Sequence, residues 1–174
     1  MKLVKAAIIG IIGIAVLVTL ISFLIPSEVH GRRGVVIKAD RDSIQQQIAV
    51  FYNWKNWHPE FKANPALITY QNVSSGKDAK AMVVVNGKTT TYQLIQADST
   101  TIKVLQKRPG ENDIENIFAL AKDSATGGIY TDWKFISTLK WYPWEKFAGM
   151  MTESMTAPGM DLGMNNLKQY IESH

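Results

Sequence analysis

The chain has 174 residues, of which 46% are hydrophobic, with a formal net charge of +4 and no cysteine. Without cysteine the chain forms no disulfide bonds and has no site for a lipid-modified cysteine anchor. Lys2 and Lys5 contribute two of the charges, so the part after Ile25 is only mildly basic. Nucleic-acid-binding surfaces normally carry a basic stripe with interleaved aromatic residues, and we expect no nucleic-acid partner.

The first element is an uncharged apolar run at residues 6–25. About 20 helical residues span a hydrocarbon core of roughly 30 Å. A cleaved signal peptide is the alternative, but Ser22-Phe23-Leu24-Ile25-Pro26 lacks the usual small-residue cleavage pattern. We therefore predict a transmembrane anchor at residues 1–26 and one soluble domain at residues 27–174. Lys2 and Lys5 before the span favour an extracytoplasmic domain.

The soluble part begins with a predicted strand at residues 34–39. A helix follows, capped by Asp40 or Asp42, with Ile44, Ile48 and Phe51 on one face, and it is expected to end near Trp54. Six β-rich runs come next, at residues 66–73, 81–85, 89–96, 100–107, 114–121 and 129–137. Asn86-Gly87 between two of them is typical of a two-residue type I′ hairpin turn. An antiparallel meander is predicted.

The carboxyl-terminal segment is predicted to be helical. Met160, Met164, Leu167 and Ile171 recur at helical spacing and form one apolar face. A separate short helix is predicted to begin near Pro143. An antiparallel sheet of this length needs a cover for its apolar face, and the terminal helix is the obvious one.

This order of elements resembles the START-like, or polyketide cyclase/dehydrase-like (SRPBCC), superfamily, and in particular a membrane-anchored bacterial branch of it. The motifs that carry the resemblance are residues 26–30, Asn53-Trp54-Lys55-Asn56-Trp57-His58-Pro59, Trp133, residues 139–147 and residues 166–172. Glu60 departs from the pattern, since an aromatic residue is common there. The resemblance implies an α+β helix-grip fold, in which a curved antiparallel sheet wraps around a long C-terminal helix. It also implies an apolar pocket between sheet and helix, and a bacterial inner membrane location.

The candidate ligand-binding residues face this expected pocket. Alternation in the last strand places Thr131, Trp133 and Phe135 on one side, and helical spacing places Met160, Met164 and Leu167 towards them. The full set of candidates is Trp57, Phe118, Thr131, Trp133, Phe135, Met160, Met164 and Leu167. Each has a second interpretation as ordinary core. The methionines suit either a core or a wall that accepts variable apolar ligands, and Trp133 suits either core packing or a hydrogen bond to ligand.

Two further clusters have both a functional and a structural interpretation. His58 and Glu60, beside Trp54 and Trp57, are either a potential acid/base pair at a pocket rim or polar neighbours of an aromatic plug. Trp141, Tyr142 and Trp144, with Lys140 and Lys146, are typical of a membrane interface, although core packing of Trp141 fits equally well. In the first interpretation this loop is a lid that touches the bilayer.

The leading hypothesis is a membrane-anchored binding module for a small hydrophobic ligand, of lipid or polyketide-like chemistry. The alternatives are a structural or interaction protein with a filled core, and a cyclase, dehydrase or hydrolase whose acid/base candidates are His58, Glu60 and Glu115. The three histidines are scattered, and no phosphate-binding glycine loop or nucleophile elbow is present. We expect no metal and no cofactor, name no catalytic residue, and name no protein partner.

Overall fold

A computed structural model describes residues 2–71, 76 and 78–174. The helices are α1 (Lys2–Ser22), α2 (Arg41–Ala49), α3 (Pro59–Ala63) and α4 (Pro143–Glu172). The strands are β1 (Glu28–Ile37), β2 (Ile68–Gln71), β3 (Lys80–Val85), β4 (Lys88–Ala97), β5 (Thr101–Lys107), β6 (Ile114–Lys122) and β7 (Ile129–Thr138). Short 3₁₀ segments lie at Phe51–Asn56 and Pro65–Leu67.

The strands form one antiparallel sheet in the order β1-β7-β6-β5-β4-β3-β2. Strands β2 to β7 follow one another as a meander. β1 forms the edge next to β7 and pairs with it along its whole length. Helix α4 packs across the inner face, where Met160, Met164 and Leu167 are buried. The α+β helix-grip prediction is therefore confirmed.

Most predicted elements agree with the structure to within two residues, and the hairpin at Asn86-Gly87 has positive φ at both positions. Residues 72 and 73, at the end of one predicted strand, lie outside the described residues. Two predicted boundaries differ: α2 ends at Ala49 instead of near Trp54, because a 3₁₀ segment follows at Phe51–Asn56, and β1 starts at Glu28 instead of Gly34. Its first half is polar and has no clear alternation, because β1 is an edge strand whose side chains face solvent more often than those of a central strand.

The prediction of a separate short helix at Pro143 is wrong, because α4 is continuous through Pro158. Proline lacks an N–H and leaves the carbonyl four residues earlier without its helical partner, which usually breaks or kinks a helix. Here both Pro158 and Ser154 are exposed, so water can hydrogen-bond to that carbonyl. The helix therefore lacks one backbone hydrogen bond at Pro158 but continues to Glu172.

The centre of the domain is a cluster of aromatic side chains beneath α2 and α3. Trp54 and Trp57 are buried with ring centroids 5.2 Å apart, and Trp54 also contacts Phe51 and Phe61 edge-on. The indole N–H groups donate to backbone carbonyls of α2, from Trp54 to Ile48 at 2.7 Å and from Trp57 to Gln47 at 3.0 Å. These bonds offset the cost of burying two polar groups in an apolar environment.

Helix α1 differs from the rest because nearly all of it is exposed. By length and apolar composition it qualifies as a membrane span, a test that a signal sequence near the amino terminus also passes. Its carboxyl-terminal end contacts the start of α4. The buried ammonium of Lys146 donates to the Ile25 carbonyl at 3.2 Å and to Ser27 Oγ at 2.6 Å. The segment that directly follows α1 is thereby attached to the start of α4.

Candidate functional site

The candidate site is a cleft of about 340 Å³ between the inner face of the sheet and the middle of α4, which we call the Trp133 cleft. One wall is mainly apolar and consists of Pro59, Ile114, Trp133, Phe135, Met155 and Met160. The other end is polar and consists of His58, Glu60, Tyr92, Gln106, Arg108 and Asn116. The cleft is at the small end of the 300–1,000 Å³ range that is usual for small-molecule sites.

The apolar wall combines strand β7 with helix α4. Trp133 stacks against the buried Phe118 with ring centroids 5.2 Å apart, and this contact restricts the position of its indole. Helix α4 crosses this ring at Gly163, where an added Cβ would lie 2.9 Å from Trp133 Cζ3. Only glycine allows the helix to approach the Trp133 ring this closely.

A chain of side-chain hydrogen bonds runs from the apolar wall to the polar end. The Trp133 indole N–H donates to Asn116 Oδ1 at 2.9 Å, and Asn116 Nδ2 donates to Gln106 Oε1 at 3.3 Å. The three residues come from β7, β6 and β5, whose pairing brings them together on the inner face. The indole N–H of Trp133 therefore has its hydrogen-bond partner within the protein, while the ring lines the cleft.

Glu60 is the centre of the polar end. Its carboxylate accepts a short hydrogen bond from the Tyr92 hydroxyl and one of 3.3 Å from Thr90 Oγ1. Arg108 Nη2 lies 3.9 Å from the same carboxylate, and Arg108 Nη1 lies 3.1 Å from Glu111. Burial raises the pKa of Tyr92 well above its ordinary value, and the negative charge of Glu60 raises it further. Tyr92 is therefore a permanent donor to Glu60 at physiological pH.

We expect Tyr92→Phe to destabilise the protein by about 1–2 kcal/mol, because it removes a buried hydrogen bond to a charged group while the carboxylate keeps Thr90 and Arg108. Tyr52→Phe is the matched control, since Tyr52 is half exposed at the surface, and we expect it to be nearly neutral. Urea unfolding of the full chain in detergent measures both. Equal effects from the two substitutions would show that the Glu60 network does not stabilise the fold.

His58 lies between the polar end and the aromatic cluster. Its ring stacks on Trp54 at a centroid distance of 4.7 Å, and burial lowers its pKa from 6.5 to about 3. Nδ1 is buried and has no hydrogen-bond partner among the described residues. The imidazole is therefore neutral at physiological pH. It can exchange hydrogen bonds with a ligand, but it does not supply a proton as a general acid near pH 7.

The structure divides the eight predicted ligand-binding residues into two groups. Trp133, Phe135 and Met160 line the Trp133 cleft. The other five are buried in the core behind it or beside it, and these are Trp57, Phe118, Thr131, Met164 and Leu167. Of the acid/base candidates, His58 and Glu60 line the cleft, whereas Glu115 lines a different hollow and pairs with Lys103 at 3.6 Å.

Several cleft residues were not predicted from the sequence, namely Tyr92, Gln106, Arg108, Asn116 and Met155. Asn116 had a recognisable signal, because it interrupts the inward-facing series Ile114, Phe118 and Leu120 with a buried polar side chain. Gln106 and Tyr92 are opposite each other in the register of β5 and β4, which becomes visible only once the strands are paired.

The residues Trp141, Tyr142 and Trp144 form an aromatic cluster that does not line the cleft. Trp141 and Trp144 are exposed, so core packing of Trp141 is not observed. The rings of Tyr142 and Trp144 stack with centroids 5.0 Å apart, and the ring of Trp141 lies at the same centroid distance from Tyr142. The cluster immediately precedes and begins α4, next to the Lys146 contact with α1.

No protein-family model matches the chain, and no curated protein matches its sequence. Solved structures share its fold at low identity. SA2116, a protein of unknown function from Staphylococcus aureus, is 15% identical with a TM-score of 0.64, and the match covers 84% of this chain and 94% of that protein. CalU16 from Micromonospora echinospora is 10% identical with a TM-score of 0.54, over 83% of this chain and 75% of its own.

A third similar structure is the di-domain ARO/CYC protein StfQ from the steffimycin biosynthetic pathway. It is 10% identical with a TM-score of 0.62, over 84% of this chain, which spans about half (51%) of StfQ. At these identities the likeness concerns the fold alone. The shared fold agrees with the α+β helix-grip architecture that the sequence resemblance implies.

Proposed function

We propose that this protein is a membrane-anchored binding module that holds a small hydrophobic ligand, of lipid or polyketide-like chemistry, in the Trp133 cleft. The observation that carries the proposal is the composition of the cleft. Its wall of Trp133, Phe135, Met155 and Met160 is apolar, and its hydrogen-bonding groups are collected at one end. A mainly apolar cavity with a few convergent polar groups is the usual form of a small-molecule site.

The charges at the polar end favour an uncharged ligand group. The guanidinium of Arg108 already faces the carboxylates of Glu60 and Glu111, so this end carries no excess positive charge. A fatty-acid carboxylate entering here would meet two carboxylates against one guanidinium. A hydroxyl or carbonyl group could instead hydrogen-bond to Gln106, which lines the cleft. We therefore expect neutral amphiphiles, such as sterols or monoacylglycerols, to bind better than fatty acids.

The location of the protein is part of the proposal. Helix α1, within residues 1–26, is the membrane anchor in this proposal, and residues 27–174 are the ligand-binding domain. The apolar composition of α1 and its exposure support this assignment. Lys2 and Lys5 before the span favour an inside amino terminus and an extracytoplasmic domain in a bacterial inner membrane. The proposed assignment to a membrane-anchored bacterial branch of the START-like superfamily depends on the same helix.

One observation favours the alternative of an interaction protein with a filled core. Trp57, Phe118 and Leu167 occupy the space that the resemblance assigns to a deep pocket, and all three are fully buried. The remaining cleft is shallow and open to the surface. A ligand would therefore lie against α4 and the polar end, and a protein that binds none would have its function on its outer surface.

The experiment that tests the proposal is native mass spectrometry of the full chain released from detergent, with lipid extraction, followed by uptake of a fluorescent sterol and a fluorescent monoacylglycerol. We expect a co-purifying apolar molecule at one copy per chain or saturable uptake of a probe. An empty protein that takes up neither probe would contradict the binding proposal and favour the filled-core alternative.

A variant that fills the Trp133 cleft tests whether the ligand binds there. Gly159 lines the cleft, and an added Cβ there meets no atom within 4 Å. Gly159→Leu should therefore occupy the cleft without destabilising α4, because leucine is a better helix former than glycine. We expect probe affinity to fall by ~10-fold or more, equivalent to about 1.4 kcal/mol. Asn165→Leu, exposed on the same helix outside the cleft, is the control, and equal affinity in both variants would exclude this cleft as the site.

A further inference from the structure

The first half of α4 carries an exposed apolar stripe, formed by Trp144, Phe147, Met151 and Met155. These residues are spaced at i, i+3, i+7 and i+11, which places them on one face of the helix. Their exposed fractions are 70%, 43%, 64% and 76%, so a large part of each side chain remains uncovered by the domain. Contiguous exposed apolar surface of this kind marks a site of interaction with a protein or a membrane.

The other side of the same helical segment packs on the domain. Lys146 and Gly149 are buried there, and Glu153 approaches Arg33 of β1 at 3.9 Å. The segment is therefore amphipathic, with its polar and small residues towards the protein and its large apolar residues outward. This orientation is fixed by contacts within the domain, so the stripe is available to a partner without any rearrangement.

The position of the stripe identifies the partner. Lys146, at the start of α4, donates hydrogen bonds to the Ile25 carbonyl and to Ser27 Oγ, which directly follow the apolar helix α1. With a rise of about 1.5 Å per residue, Trp144 lies only about 3 Å along the helix from Lys146. The stripe thus begins at the level where α1 would leave the hydrocarbon core. The cluster Trp141, Tyr142 and Trp144 is of the residue types enriched at that level.

We propose that the apolar stripe of α4 docks onto the surface of the bilayer that holds α1, and that the mouth of the Trp133 cleft consequently opens towards lipid. Met155 connects the two features, because it ends the stripe and also lines the cleft. A ligand dissolved in the bilayer reaches the cleft along α4 without crossing bulk water. The proposal rests on the proposed membrane anchor, and it adds the docking surface and the route of entry.

The absence of cysteine from the chain makes a direct test simple. The full-length variants Met151→Cys and Met155→Cys, labelled with an environment-sensitive nitrobenzoxadiazole dye, are reconstituted into phosphatidylcholine vesicles with and without doxyl-labelled phosphatidylcholine. Glu153→Cys is the matched control, because it lies between the two in sequence on the opposite side of the helix. We expect doxyl lipid to quench the labels at 151 and 155 at least ~3-fold more than the label at 153, as for an interfacial amphipathic helix.

The outcomes separate this inference from the proposed function. Labels at 151 and 155 that are as unquenched as the label at 153, in chains that remain with the vesicles, would overturn the docking alone. Chains that do not remain with the vesicles after alkaline extraction would overturn both the anchor and the docking. Strong quenching in a protein that takes up neither fluorescent probe would support the docking and contradict the ligand-binding proposal.

Discussion

Trp54→Ala is expected to destabilise the protein by about 3–5 kcal/mol, the usual cost of truncating a large aromatic side chain in a core. Trp54 is 1% exposed and its ring contacts Phe51, Phe61, Tyr92 and His58, so the substitution leaves a cavity at the centre of the aromatic cluster. It also deletes the donor to the Ile48 carbonyl, which holds α2 against the 3₁₀ segment. Urea unfolding of the full chain in detergent, followed by far-ultraviolet circular dichroism, measures the loss.

Trp141→Ala is the matched control for this substitution. The same residue type is removed, but Trp141 is 60% exposed and outside the core, so we expect a change within about 0.5 kcal/mol. Similar losses from Trp54→Ala and Trp141→Ala would mean that the aromatic cluster under α2 and α3 is not the stabilising centre of the domain.

The second large effect concerns pH. The folded-state pKa of His58 is about 3, below the ordinary value of 6.5, because burial disfavours the imidazolium. The unfolded chain therefore binds this proton more tightly. The stability that depends on a neutral His58 is complete above pH 6.5 and is lost as the pH falls towards 3. From pH 7 to pH 5 we expect the free energy of unfolding to decrease by about 2 kcal/mol through this group alone.

His58→Phe isolates this contribution. Phenylalanine keeps an aromatic ring against Trp54 and Phe61 but cannot be protonated, so the variant should lose less stability than the wild type between pH 7 and pH 5. The difference between the two slopes is the measured quantity, and urea unfolding at both pH values provides it. Parallel slopes in the two proteins would show that His58 does not titrate differently in the folded and unfolded states.

Most of the fold could be predicted from the sequence because its local signals are consistent. Alternation in residues 129–137 identified the inner face of β7, and all four of Ile129, Thr131, Trp133 and Phe135 are buried. Asn86-Gly87 predicted one hairpin, because its two-residue turn requires positive φ at both positions. The failures were at the edge strand β1, at the end of α2 and at Pro158. At β1 and Pro158, solvent replaces the partners that local rules assume.

The site was harder to predict, because helical periodicity shows which face a side chain lies on but not whether it lines a cleft or is buried behind it. Met160, Met164 and Leu167 share one face of α4, yet only Met160 lines the cleft. The difference arises from where Gly163 lets the helix touch Trp133, a contact between residues 30 apart in sequence. The polar end is assembled from α3, β4, β5 and β6, and no single segment contains enough of it to form a motif.

The pairing of β1 with β7 has a consequence for biosynthesis. β1 directly follows the apolar helix, whereas it pairs with β7, the last of the described strands to be synthesised. Arg32 and Asp132, which join the two strands by an ion pair of 2.7 Å, are 100 residues apart. The domain cannot complete its sheet until β7 has emerged from the ribosome. Until then β1 remains an unpaired strand next to α1. Slow translation between β1 and β7 should therefore prolong exposure to proteases and chaperones.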